Sequence, residues 1–128
     1  MSAYAPPLRP PALRPLTVRD RHGRAYIVPG RQWGGLCLHA PHELVDGLTR
    51  EIPQVRSDKH WVIAHVASGL SVGSVRGSMS SAWLAMVRVA LAADWDRPMA
   101  EVLADPVCVR IARMLSTLPS PRADEVVP

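Results

Sequence analysis

The sequence predicts an α+β fold, a small antiparallel sheet built from hairpins and packed against a central apolar helix and two or three shorter helices. Three observations carry that prediction. Short runs of alternating apolar and polar residues, separated by glycine-bearing turns, occupy much of the first 75 residues. Residues 82–93 then hold helical spacing with a single charge, Arg88. Two Asp-and-Pro pairs, Asp96 with Pro98 and Asp105 with Pro106, follow as starts for two further helices. Strands first and helices afterwards is the α+β order, with neighbouring strands paired antiparallel.

Residues 6–15 read "PPLRPPALRP", a near-repeat of five residues. Proline fixes φ and removes a donor, so residues 1–15 are expected to form a flexible, extended, polyproline-II-like arm outside the fold. "LTVRD" and "RAYIV" flank "RHG" and read as a hairpin turned at Gly23. "WGGLCLH", residues 33–39, reads as a third strand whose glycines mark a bulge or a close backbone approach. "APHELVDGLTREIP" reads as a short helix, with Pro41 in its first turn, Glu43 facing the N-terminal dipole and Pro53 past its end. Gly47 weakens that helix by roughly 1 kcal/mol relative to alanine.

"HWVIAHVASGLSVGS", residues 60–74, reads as strand, turn and strand. A helix capped by Ser78 or Ser80 is expected to run to about Trp95, with Leu84, Val87, Leu91 and Trp95 forming one apolar stripe widened by Trp83, Met86 and Ala90. So apolar a helix is expected at the centre of the core, or to complete its burial in a homodimer. Helices at 98–104 and 106–117 follow, the second turning Val107, Ile111, Met114 and Leu115 inward. The domain organisation expected is an arm at 1–15, a single α+β domain at 16–117 and a disordered tail at 118–128.

The 128 residues form one domain by length, and 48% hydrophobic with 20% charged residues is a globular composition. Phenylalanine is absent, so Trp33, Trp61, Trp83 and Trp95 must supply much of the core bulk. Two cysteines outside any CxxC, no apolar leader and no run long enough to span a bilayer point to a cytoplasmic protein with no membrane partner. The net charge of +4 is concentrated at the N-terminus, where residues 1–35 carry six arginines against Asp20 alone.

Chemistry-bearing residues are few. Strand alternation puts His60 and His65 on opposite faces, which prevents them from chelating one metal or acting as an acid/base pair. His65 shares its face with Trp61 and Ile63 and is expected either in the core or on a partner surface. Cys37 and His39 share a strand face with His42 just beyond, the best of the weak metal candidates, but C-x-H-x-x-H lacks the four-ligand spacing of a structural zinc site. Cys37 with His39, or Ser71 with His65, has neither a nucleophile elbow nor a carboxylate orienter. The glycine- and serine-rich turn lacks the lysine of a phosphate loop. The expectation is a protein without enzymatic activity and without a cofactor.

Binding is what remains. The leading expectation is a protein-interaction or regulatory module, an adaptor or inhibitor, whose arm recruits an unidentified protein partner through P-x-x-P spacing at Pro7 and Pro10, with His65 on the partner surface. The alternative is nucleic-acid binding, DNA or RNA, with Arg9, Arg14, Arg19, Arg21, Arg24 and Arg31 along phosphates and Arg110 and Arg113 as a second contact on the last helix. Either reading is compatible with a monomer or a homodimer.

Overall fold

The computed structural model describes residues 7–54 and 59–116; the first six residues of the arm and the tail expected over 118–128 lie outside them. Strands β1 (Arg14–Arg19), β2 (Ala25–Trp33) and β3 (Leu36–His39) form a meander. A separate hairpin, β4 (His42–Val45) with β5 (Leu48–Glu51), interrupts it. The sheet resumes with β6 (His60–His65) and β7 (Ser71–Arg76), and three helices follow among the described residues: α1 (Met79–Ala92), α2 (Met99–Ala104) and α3 (Pro106–Ser116). The five main strands lie in the order β1-β2-β3-β6-β7, antiparallel throughout, which makes the fold α+β.

Residues 41–52 are the clearest correction. The expected helix is a hairpin, because Asp46 (φ 52°) and Gly47 (φ 79°) both take positive φ between the directly paired Val45 and Leu48. Two central residues with positive φ make the two-residue turn that matches strand twist, and Asp-Gly favours it strongly. The side chains Glu43 and Arg50 sit opposite each other across the hairpin with Arg50 Nε 2.7 Å from Glu43 Oε1. The base is closed by Ile52 N–H donating to the Pro41 carbonyl at 2.9 Å.

Strand alternation divides the sheet into two cores. Leu36, Leu38, Ile63 and Val75 face the helices and pack with Ala82, Trp83, Met86, Val87, Trp95 and Val102. Their neighbours Cys37 and Ala64 face the other way and pack with Leu16, Val18 and Val28. Among the described residues no helix contributes to that second cluster; instead the sheet curls. The Arg19 N–H of outermost β1 donates to Gly69 O, in the β6–β7 turn, at 2.8 Å, bringing the two ends of the sheet together. One extra residue in β7, between the partners of Ile63 and Ala64, supplies a bulge beside this closure.

Ser78 caps α1, its hydroxyl accepting from Ser81 N–H at 3.2 Å. The helix stops at Ala92, short of Trp95, whose indole N–H turns back to the last-turn carbonyl of Val89 at 2.8 Å. The expected stripe is only half buried: Val87 and Trp95 are inside, whereas Leu84 and Leu91 are exposed. On α3, Val107 and Met114 likewise face outward, while Cys108 and Leu115 take the inward positions. The cause is register against the sheet, since Leu115 seats on Gly73 of β7, where an added Cβ would lie 2.4 Å from Leu115 Cβ. Asp105 caps α3 through Val107 N–H at 2.9 Å as its position predicts, but Asp96 caps nothing and α2 starts from Pro98 without a side-chain cap.

Candidate functional site

Two places gather the chemistry-bearing residues. The first is the seat of the arm. Residues 7–13 carry no helix or strand and bend at Leu8 and Arg9. They are held through the backbone: the Trp83 indole N–H donates to the Pro7 carbonyl at 2.8 Å, and Arg31 Nη1 donates to the Pro11 carbonyl. Both targets are proline carbonyls, which accept from the indole and guanidinium N–H groups of the body. Trp83 is wholly buried at the start of α1, and Arg31 projects from β2 on the helix-facing side, level with Leu38. The side chains of Leu8 (78% exposed) and Leu13 (56%), with Arg9 and Arg14, point to solvent. Pro10, singled out for its P-x-x-P spacing, is half-buried and Pro7 exposed.

The remaining arginines of the N-terminal third are unequal. Arg24 pairs with Asp20 at 2.7 Å, and Arg19 Nη1 donates to the Gly23 carbonyl at 2.8 Å, so both serve the β1–β2 turn. At Asp20 desolvation works upward, yet hydrogen bonds from Arg24 and from His22 N–H outweigh it and hold the carboxyl below its ordinary range. Among the described residues Arg9, Arg14 and Arg21 have no carboxylate partner. Arg110 and Arg113 are exposed on α3.

The second place is the concave face of the curled sheet, a cavity of about 100 Å³ lined by Val18, Tyr26, His39, His42, Val62 and Ala64. His39 and His42 both direct Nδ1 at the Ala40 carbonyl, each at 2.7 Å. A carbonyl only accepts, so both rings carry their proton on Nδ1. Two imidazoles that address one oxygen through Nδ1 turn their Nε2 atoms away from each other. Ring centroids 6.3 Å apart therefore do not converge on a shared ion. Among the described residues no group of three metal-ligating side chains comes together. Burial lowers the His39 pKa to about 4 and raises that of Cys37 to about 11, so the imidazole stays uncharged and the thiol protonated near neutral pH.

His65 lies in the helix-side core with no exposed surface, which removes it from any partner-facing position. Its Nε2–H is shared by the carbonyls of Trp95 and Arg97 at 2.9 and 2.8 Å, and its Nδ1 accepts from the Ser68 hydroxyl at 2.8 Å. Both nitrogens are occupied, so His65 offers Ser71 no base. His60 is also buried, and its backbone is clamped by the Gln54 amide, which accepts from His60 N–H at 2.7 Å and donates to its carbonyl at 3.1 Å.

Sequence reasoning missed the roles of Trp83 and Arg31 as donors to the arm. Absence of phenylalanine marked Trp83 as core, and nothing local pairs it with a residue 76 positions away. No helix among the described residues is long and apolar enough to cross a membrane. No family model, curated protein or solved structure matches this chain.

Proposed function

We propose that the chain is a non-enzymatic protein-interaction or regulatory module, and that its proline-rich arm is the element a protein partner engages. One observation carries the reading: the body grips the arm by the carbonyls of Pro7 and Pro11 and leaves Leu8, Arg9, Leu13 and Arg14 outward. A segment fixed by its backbone loses little further entropy on binding, so its side chains are available at low cost. Two Leu-Arg pairs five residues apart suit a partner surface that offers apolar pockets beside carboxylates.

The test is partner capture by the full chain and by the double variant Leu8→Ser, Leu13→Ser. Both side chains are exposed, so the fold is expected to be unchanged and recovery of the partner to fall at least tenfold. Equal recovery sinks the reading.

The exposed Arg9, Arg14 and Arg21 favour a second reading, nucleic-acid binding through phosphates. It predicts affinity for duplex or single-stranded nucleic acid that falls linearly with salt on logarithmic axes. Replacing those three arginines by alanine lowers the slope by about three units in this reading, at roughly one per phosphate contact. No binding at low salt removes it.

A further inference from the structure

The arm satisfies its seat only in part. Arg31 gives Nη1–H to the Pro11 carbonyl, but its Nε–H is buried and, among the described residues, has no acceptor. A buried N–H without an acceptor is unfavourable, and the one acceptor the arm gives this half-buried guanidinium is a neutral carbonyl. The arm cannot correct this, because residues 1–19 contain no Asp or Glu and bring further arginines instead.

We propose that the seat formed by Trp83 and Arg31 is a peptide-binding site for a proline-rich segment bearing a carboxylate, with residues 7–13 as its tethered and electrostatically incomplete occupant. The proposal rests on the reading of the chain as a protein-interaction module but concerns the underside of the arm, not its outward side chains. A carboxylate takes two parallel N–H bonds from Nε and Nη of one arginine, the fork geometry that lysine cannot reproduce. The indole N–H of Trp83 then holds a proline carbonyl of the partner as it holds that of Pro7. Tethering gives the arm an effective concentration on the order of millimolar, so an incoming segment must outbind it per contact. The carboxylate supplies that advantage and also the selectivity, since a peptide like the arm itself has none.

The experiment uses the full chain labelled at its indole and guanidinium nitrogens. Two ten-residue peptides are titrated in, one with the sequence of residues 6–15 and one carrying Ala12→Glu. The acidic peptide is expected to shift the Trp83 indole and Arg31 Nε resonances with an apparent Kd at least tenfold below that of the parent peptide. In the Arg31→Lys chain the Trp83 resonance still moves and the tenfold difference disappears. The proposal is overturned if neither peptide moves the Trp83 indole, or if both bind the unaltered chain equally. Since the deciding readout is on the unaltered chain, misfolding of a variant cannot conceal the result. Partner capture through Leu8 and Leu13 is independent of either outcome, so the two readings fail separately.

Discussion

His39 and His65 sit on opposite faces of one sheet and hold opposite tautomers, His39 donating from Nδ1 to Ala40 and His65 donating from Nε2 to Trp95 and Arg97. Strand parity made the separation of His60 from His65 legible from sequence, but not that of His39 from His65, because parity relates residues of one strand and these two lie on β3 and β6. The partners were not legible: the carbonyls that fix His65 are 30 and 32 residues away, and only the path of the chain after α1 brings them in. Burial of His39 has a consequence in pH. The unfolded imidazole takes up its proton near pH 6.5, whereas the folded one refuses it until about pH 4. The unfolded state binds more protons across that window, so stability falls as the pH drops from about 6.5 to 4, by on the order of 3 kcal/mol in all. Urea unfolding at pH 7.5, 6, 5 and 4, compared between the wild-type chain and His39→Leu, checks it. Ala40 still accepts from His42 in the variant, so the substitution leaves that carbonyl satisfied. Identical pH slopes for the two chains would refute the assignment.

At the scale of elements, the strands and the last helices were readable, and the error at residues 41–52 has a definite origin. Pro41, Glu43 and Pro53 fit helix start and stop rules, and the competing signal, Asp-Gly between Leu44-Val45 and Leu48, was priced only as a weak helix interior. Turn chemistry won because a two-residue loop with both φ values positive pairs the flanking residues at once. The two structures predict opposite signs for one substitution. In a helix Gly47→Ala stabilises by roughly 1 kcal/mol, whereas at φ 79° it destabilises by roughly 1–2 kcal/mol. The hairpin buries little, with β5 exposed along its length, so it is expected to open apart from the main sheet. Hydrogen exchange of the β5 amides is therefore the measurement, and Gly47→Ala should reduce their protection about tenfold. Unchanged or increased protection would contradict the turn.

For the molecule as a whole, the division between arm and body follows the location of the cores. Among the described residues neither apolar cluster contains one before Leu16, yet Trp83, fully buried in the larger one, donates its indole proton to Pro7. Composition showed the proline-rich segment but could not show that the body has donors for it, since those donors come from β2 and α1 and meet only after the sheet and helix have packed. The arm is then expected to be a cover that the fold does not need. Deletion of residues 1–13, ending just before β1, should leave both cores and the antiparallel register in place. It should cost about 1–2 kcal/mol, the worth of two hydrogen bonds from the body to the arm. Tryptophan emission should move to longer wavelength as water reaches the Trp83 indole, while the hydrogen-exchange protection of β3 and β6 at the sheet centre should fall only with that loss of global stability. A truncated chain that fails to fold would place the arm within the core, and emission that does not move would mean that the Pro7 carbonyl is not what keeps Trp83 from water.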